Sequence, residues 1–213
     1  MNSALMANYG HPQLQFERGQ GVYLYTADNE RYLDFTAGIA VTCLGHCHPH
    51  LIAALKDQAD RLWHTSNLFS IIPTERLARR LVDLSFADRV FFANSGTEAV
   101  ECGFKMMRRY HYHHGRPQRV RIISLTQSFH GRTLAPVAAC LNPLHTEGFL
   151  VGDNGFDQVP FGDLDALRAA ITDQTAGVIL EPVQGEGGIR AVPVEYLQAV
   201  RQLCDEHGIL LMF

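Results

Sequence analysis

The alternation of apolar and polar residues predicts the structure of the first third of the chain. Residues 22–25 and 32–35 alternate in this way and flank a polar turn at 28–30, which predicts a β-hairpin. Apolar side chains then recur at helical spacing after Pro49 and again after Pro73. We therefore expect a hairpin followed by two amphipathic helices.

From residue 89 onward, short apolar runs alternate with segments of helical periodicity. Such alternation predicts an α/β fold, in which helices cover both faces of a mainly parallel sheet. The predicted strands cover residues 89–93, 120–124, 176–180 and 209–213, and the predicted helices cover 97–110, 164–170 and 194–206.

The last predicted strand also bears on the extent of the chain. Residues 210–213 have the continuous apolar pattern that is typical of a strand buried on both faces, and the sequence stops inside it. Ligands of open parallel sheets bind beyond the carboxyl ends of the strands. We therefore expect the sequence to be a fragment of a longer chain.

Composition and charge exclude several functional classes. The chain carries 18 basic and 22 acidic side chains, a net charge of −4, which argues against nucleic acid as a partner. It lacks both the run of about 18 apolar residues that a membrane span needs and the features of a signal peptide. Its five cysteines are scattered without a C-x-x-C pair, as in a reducing compartment. We expect a cytoplasmic protein with no membrane partner.

The sharpest local signal lies where the predicted strand 89–93 passes into a helix. Ser95 or Asn94 can cap that helix, Gly96 lets another group approach the backbone, and the amides of Gly96, Thr97 and Glu98 suit an anion. The stretch is not a Walker loop, because no Gly-Lys-Ser/Thr follows it. A plain helix cap without a ligand explains this stretch alone equally well.

Two further stretches follow predicted strands and carry chemical groups. Phe129 offers a ring that can stack on a planar ligand, and Arg132 can hold a carboxylate with two hydrogen bonds. Glu186 stands among three glycines in 181–188, which would keep it accessible in a cleft. Taken singly, a core phenylalanine, a surface arginine and a solvated glutamate are alternatives.

A cluster of histidines has the composition of a metal site. It contains His46, Cys47, His48 and His50, but neither a C-x-x-C nor an H-E-x-x-H pattern accompanies it. We expect no metal ion here. A metal-binding module stays as an alternative hypothesis.

Six segments, in this order, resemble the class III aminotransferases, which use pyridoxal phosphate and have the fold-type I architecture. Within that family the resemblance is to the acetylornithine aminotransferase group. One segment alone is a weak signal, but six in register are specific. They are YLDFTAGIAV (32–41), LGHCHP (44–49), WHTSN (63–67), FFANSGTEA (91–99), FHGRT (129–133) and EPVQGEGG (181–188).

The resemblance assigns a role to each part of the chain. Residues 1–72 would form an N-terminal segment, part of the small domain and of a homodimer interface, and 73–213 the first, incomplete part of the large cofactor-binding domain. Pyridoxal 5'-phosphate would be held by Ser95, Gly96 and Thr97 and stacked on Phe129. Arg132 would bind a substrate carboxylate, and Glu186 would move aside for 2-oxoglutarate or glutamate.

The resemblance also implies a reaction, the transfer of the terminal amine of N-acetylornithine to 2-oxoglutarate in arginine biosynthesis. The family's Schiff-base lysine would lie beyond Phe213, so no catalytic residue is expected within the chain. Lys56 and Lys105 are the lysines present, and we expect the 213-residue chain alone to be inactive. Ornithine, succinylornithine, 4-aminobutyrate and ω-amino acids are alternative donors, and a truncated non-catalytic product is an alternative function.

Overall fold

Contacts within the chain divide it into two units, Met1–Ser85 and Phe86–Phe213. The structure is a computed structural model that describes residues 4–10, 12–149 and 153–213. The domain boundary expected after residue 72 follows from the family resemblance and stays a prediction.

The first unit contains a small antiparallel sheet followed by helices. Its strands run in the order β1-β2-β3, and β2 and β3 form the predicted hairpin, to which β1 adds a strand that the sequence pattern did not indicate. Two of its helices begin with a proline in the first turn, where the missing amide hydrogen costs nothing. The elements are β1 (Arg18–Gln20), β2 (Tyr23–Tyr25), β3 (Arg31–Leu33), α1 (Ala37–Ala40), α2 (Pro49–Ala59) and α3 (Ile72–Asp83), preceded by a 3-10 turn at Ala7–Tyr9.

The second unit contains a four-stranded parallel sheet with the strand order β5-β4-β6-β9. A separate antiparallel pair, β7 and β8, follows β6. The elements are α4 (Gly96–His113), β4 (Arg121–Leu125), α5 (Leu134–Cys140), α6 (Pro143–Thr146), β5 (Phe156–Val159), α7 (Leu164–Ala170), β6 (Thr175–Ile179), β7 (Val183–Gln184), β8 (Arg190–Ala191), α8 (Val194–His207) and β9 (Leu210–Met212).

Helices cover both faces of the parallel sheet. Successive residues of a strand point to opposite faces, so Ile122 packs with Phe104 and Met107 of α4, while Ile123 packs with Leu203 of α8. Strands β4 and β6 are buried on both faces, which explains their continuous apolar sequences. None of the helices in the described ranges is long and apolar enough to cross a lipid bilayer.

Two predicted strands differ from the structure. Residues 89–93 form no strand, because no described residue pairs with their backbone; Phe91 and Phe92 are 67% and 41% exposed. The last strand does form, as β9, but it lies at the edge of the sheet beside β6 and its side chains are half-buried. Both segments carry the apolar pattern of an inner strand without having two neighbours.

Candidate functional site

The N-terminus of α4 forms one wall of the candidate site. Ser95 adopts an extended backbone conformation and its Oγ accepts a hydrogen bond from the amide of Glu98 at 3.3 Å. The Glu98 carboxylate in turn accepts from the amide of Asn94 at 2.6 Å. This reciprocal cap leaves the amides of Gly96 and Thr97 without an acceptor among the described residues.

The segment after β4 lies directly against this helix end. The hydroxyls of Thr97 and Thr133 are 2.9 Å apart, and the amide of Thr133 donates to Thr97 Oγ1 at 3.3 Å. The Thr133 hydroxyl donates to the Glu101 carboxylate at 2.8 Å. Because the Thr133 hydroxyl donates to Glu101, the Thr97 hydroxyl is the donor to Thr133 Oγ1. Thr97 therefore offers an anion its backbone amide and not its hydroxyl proton.

Gly131 allows this close approach. Its φ of +133° lies outside the range that L side chains usually adopt, and a Cβ built on it would overlap the side chain of Thr97. A residue with a side chain at this position would push the 129–133 segment away from α4. Gly131 and Thr133 belong to the motif FHGRT, but the sequence alone predicts no role for either residue.

Phe129 is fixed to the end of a neighbouring strand. Its amide donates to Glu181 Oε2 at 3.0 Å, and Glu181 lies two residues after the end of β6. Burial raises the pKa of the Glu181 carboxyl, amide hydrogen bonds from Phe129 and Gly185 oppose that shift, and the charge of Glu186 adds to it. Glu181 is thus a structural member of the site, and the signal that could have found it is a carboxylate just beyond the carboxyl end of a buried parallel strand.

Arg132 lies beside the ring of Phe129. Its guanidinium carbon is 5.4 Å from the ring centroid, within the range of a cation–π contact. The side chain is exposed, and no carboxylate among the described residues forms an ion pair with it. Its charge is therefore available to a ligand.

Glu186 sits on the turn between β7 and β8 and is exposed. The fully buried Gln184 anchors that hairpin, because its amide nitrogen donates to the carbonyl of Thr126 at 3.0 Å and its oxygen accepts from Arg190 at 2.6 Å. The hairpin is therefore fixed to the carboxyl end of β4. Gln184 is a second residue to which sequence reasoning gave no role.

In the histidine cluster of the first unit, His46 contacts a carboxylate. His46 Nε2 lies 2.7 Å from the carboxylate of Asp34. Hydrogen bonds from the Thr36 hydroxyl, from His46 and from the Ala37 amide lower the pKa of Asp34 well below its usual range. Across residues 4–10, 12–149 and 153–213, no three His, Cys, Asp or Glu side chains come together as metal ligands.

The predicted residues of the second unit therefore lie close together beyond the carboxyl ends of β4 and β6. The segments that follow β4 and β6 are joined by the Phe129–Glu181 bond, and the segment after β4 is joined to α4 by Thr97 and Thr133. Lys105 lies on the exposed side of α4, eight residues beyond Thr97, about 12 Å along the helix at 1.5 Å per residue. The arrangement offers backbone donors for an anion, an aromatic face and a free guanidinium.

Comparison with protein-family profiles matches residues 5–213 to the description "Aminotransferase class-III". An acetylornithine aminotransferase from Brucella melitensis is 58% identical over 208 residues, which is 98% of this chain and 52% of that enzyme. The chain thus spans about half the length of the curated relatives that it matches.

Solved structures agree with the family match. An N-acetylornithine aminotransferase from Stenotrophomonas maltophilia is similar over 97% of this chain and 52% of its own, with 40% identity and a TM-score of 0.80. An ornithine aminotransferase from Toxoplasma gondii, with partial occupancy of PLP at its active site, is similar over 98% of this chain and 50% of its own, with 30% identity and a TM-score of 0.90. These likenesses confirm the predicted α/β fold and the predicted family.

Proposed function

This chain belongs to the class-III aminotransferase family, and from that membership we propose that it forms part of an enzyme that transfers the terminal amino group of N-acetylornithine to 2-oxoglutarate. N-acetylglutamate semialdehyde and glutamate are the products of this reaction, which would serve arginine biosynthesis. The observation that carries the proposal is the convergence of the α4 N-terminus with the segment 129–133. The Thr97–Thr133 contact at 2.9 Å fixes that convergence.

The residues present fit the phosphate of the family's cofactor, pyridoxal 5'-phosphate. The amides of Gly96 and Thr97 are free donors at a positive helix end, and the Ser95 hydroxyl adds a third donor. A Cβ built on Gly96 meets nothing within 4 Å, so the space beside the Cα of Gly96 is open. Phe129 would supply the ring that stacks on the cofactor.

When bound, pyridoxal phosphate supplies an electron-withdrawing ring that stabilises negative charge on the carbon bearing the amino group. This chain's residues would provide binding and orientation. Arg132 would fix a substrate carboxylate through paired N–H donors, and Glu186 would sit at the mouth of the site and move aside when a dicarboxylate enters.

We further propose that the 213-residue chain alone does not catalyse the reaction. A positioned amine must move the proton of the substrate carbon, and Lys56 and Lys105 are the lysines in the sequence. Lys105 is on the exposed side of α4, and Lys56 lies in the last turn of α2. Neither lies in the first turn of α4, which carries Thr97, or in the segment 129–133, which carries Phe129 and Arg132.

The protein would act as a homodimer. Trp63, Leu68 and Phe69 are highly exposed in the first unit, and large apolar side chains of this kind are enriched in interfaces. Sedimentation of the purified protein would test this, and a monomer at all concentrations would contradict it.

The choice of amine donor is tested by kinetics. Sequencing the coding DNA past the codon for Phe213 defines the protein to be assayed. We expect that protein to give its highest kcat/KM with N-acetylornithine, compared with ornithine, succinylornithine and 4-aminobutyrate, and the 213-residue chain to form no glutamate. A higher kcat/KM with ornithine would favour the function of the Toxoplasma relative, and turnover by the chain alone would contradict the inactivity.

The phosphate site has its own test, independent of activity. Gly96→Pro removes one amide at the first helical position, where proline is tolerated, and the extended backbone of Ser95 suits a following proline. Gly96→Ala is the matched control, because it adds a Cβ in open space and keeps the amide. We expect equilibrium dialysis to show weaker pyridoxal phosphate binding for Gly96→Pro than for Gly96→Ala. Equal binding would place the phosphate elsewhere.

A further inference from the structure

The hydroxyl of Thr133 joins two helices instead of capping one. Thr133 is the N-cap residue of α5, but its side chain forms no hydrogen bond with the first turn of that helix. Its hydroxyl donates to Glu101 Oε1 on α4, at 2.8 Å. An N-cap threonine ordinarily accepts a hydrogen bond from an amide of its own first turn, which stabilises the helix that it begins. The contact with Glu101 therefore replaces a local cap.

Glu101 is placed on α4 to receive this bond. It lies four residues after Thr97, so that both side chains project from the same face of the helix. It is half-buried, and no described basic side chain forms an ion pair with it. The field of a helix end acts mainly within the first turn, and Glu101 lies in the second. Its position is explained by the contact with Thr133 better than by the helix dipole.

The Glu101 carboxylate also fixes the direction of the neighbouring hydrogen bonds, because a carboxylate accepts and does not donate. Thr133 donates to Glu101, and the Thr97 hydroxyl donates to Thr133 Oγ1 at 2.9 Å. The Thr133 amide donates to Thr97 Oγ1 at 3.3 Å. Both hydroxyls thus donate and accept. Without an acceptor at position 101, the Thr133 hydroxyl would be free to cap α5, and its contact with Thr97 would lose its fixed direction.

The segment that follows β4 is held at both ends. At its start, the amide of Phe129 donates to Glu181 at 3.0 Å, and at its end Thr133 contacts Thr97. Between these two points the segment carries the aromatic ring and the guanidinium of the candidate site, whereas the free amides belong to the N-terminus of α4. The contact at Thr133 therefore controls the distance between the ring and the amides.

We propose that Glu101 is a positioning residue, which acts through Thr133 to hold the ring of Phe129 at a fixed distance from the amides of Gly96 and Thr97. The ligand concerned carries a phosphate and an aromatic ring on one skeleton, so this inference rests on the proposed function. Such a ligand must reach both groups at once, and a segment that is already held in place costs less ordering when the ligand binds. An anion without a ring needs the amides alone.

A matched pair of variants tests the acceptor at position 101. Glu101→Gln removes the charge and keeps an oxygen that can accept from Thr133, whereas Glu101→Met removes the acceptor and keeps an unbranched side chain that favours a helix. The probes are inorganic phosphate and pyridoxine 5'-phosphate, which has no aldehyde and cannot form an imine with a lysine. Equilibrium dialysis against the 213-residue chain measures the binding of each probe.

We expect pyridoxine 5'-phosphate to bind about tenfold more weakly to Glu101→Met than to the wild type, and to bind within about threefold of the wild type to Glu101→Gln. Inorganic phosphate should bind no more weakly to either variant. Wild-type binding of pyridoxine 5'-phosphate by Glu101→Met would overturn the proposal. Equal weakening of both probes would place the effect at the helix end, and equal weakening by both variants would assign it to the charge; either result would overturn the proposal as well.

A second set of variants tests whether Glu101 acts through Thr133. Thr133→Val removes the hydroxyl and keeps the branched shape, and Thr133→Ser is its control because it keeps the hydroxyl. We expect Thr133→Val to weaken the binding of pyridoxine 5'-phosphate more than Thr133→Ser does. The double variant Glu101→Met/Thr133→Val should bind no more weakly than the weaker single variant. Losses that multiply in the double variant would mean that the two residues act separately, which would contradict the proposal.

Hydrogen exchange without a ligand separates this inference from the proposed function. The amide of Thr133 donates to Thr97 Oγ1, and we expect it to exchange about tenfold faster in Glu101→Met than in the wild type or in Glu101→Gln. If exchange changes in this way but none of the proteins binds pyridoxine 5'-phosphate, the ligand assignment fails and the positioning role of Glu101 stands. Equal exchange in all three proteins would overturn the positioning role, whatever they bind.

Discussion

The two units of the chain have similar hydrophobic patterns and very different burial. In the second unit, Phe104 and Met107 of α4 lie beneath the sheet and are almost fully buried. In the first unit, Leu77 and Leu81 follow the same helical spacing on α3, yet both are exposed, and no described hydrophobic residue of 4–85 is buried. Periodicity therefore predicts a helix and its apolar face, but a covering layer depends on segments distant in sequence.

The largest effect that separates the units is the truncation of a core aromatic residue. Phe104→Ala removes a ring that is 2% exposed, and we expect the free energy of unfolding to fall by about 4 kcal/mol. Phe35→Ala removes a ring that is 91% exposed in the first unit, so that its effect should stay within about 0.5 kcal/mol. Urea denaturation followed by far-UV circular dichroism measures both.

A large loss of stability for Phe35→Ala would contradict the difference in burial between the two units. It would mean that this ring is covered in solution, by a second copy or by another segment, and that the first unit has a core of its own. Similar small losses for both variants would show that the second unit is not cooperatively packed.

The second effect is a pH dependence built into the second unit. His130 is buried, and burial lowers the pKa of its imidazole to about 4. Between about pH 4 and its ordinary value of 6.5, the unfolded chain binds a proton at this residue and the folded chain does not. The stabilising contribution is therefore present above pH 6.5 and is lost as the pH falls toward 4, on the order of 3 kcal/mol in all.

The variant His130→Phe isolates this contribution. As the pH is lowered from 6.5 to 4, the free energy of unfolding of the variant should fall less than that of the wild type. Parallel pH profiles for the two proteins would show that the imidazole is solvated. No described histidine of the first unit is buried, so the first unit offers no counterpart.

The sequence predicts local features well and pairings poorly. The helix at Leu164–Ala170 is found as predicted, and of the two predicted caps of α4, Ser95 and Asn94, the structure shows Ser95. The prediction that the Glu98 amide is free for an anion was wrong, because that amide donates to Ser95 Oγ. Helix α5 was missed because Pro136 argues against a helix, although it lies in the first turn, where no amide donor is needed. The predicted strand 89–93 failed because strands need a partner, and the pattern of one segment does not reveal whether the partner is present.

The site shows the same limit. Phe129 and Arg132 stand three residues apart, and the structure places the guanidinium beside the ring. The bond from Phe129 to Glu181 spans 52 residues, and no local pattern indicates which carboxylate a given amide will contact. The sequence therefore indicates the groups that we propose to face a ligand, but not the groups that hold them in place.

A smaller effect concerns the helix cap of the second unit. Ser95→Ala removes the hydroxyl that accepts from Glu98 at 3.3 Å, and we expect a loss of about 1 kcal/mol in the free energy of unfolding. Ser70→Ala in the first unit is the matched control, because that exposed hydroxyl contacts no described hydrogen-bond partner, and its effect should stay below about 0.5 kcal/mol. Urea denaturation measures both, and equal losses would mean that the cap does not stabilise α4.

The smallest expected effect is the change in tryptophan fluorescence on unfolding. Trp63 is the single tryptophan, belongs to the first unit and is 86% exposed, with its indole N–H donating to the carbonyl of Ala59 at 2.6 Å. Because an exposed indole is already in water, its emission maximum should hardly move in urea, while the circular dichroism signal shows a cooperative transition. A large red shift coincident with that transition would show that Trp63 is covered in the native state. The exposed first unit would then be completed by a contact outside itself, and the difference between the two units would lie in their partners and not in their sequences.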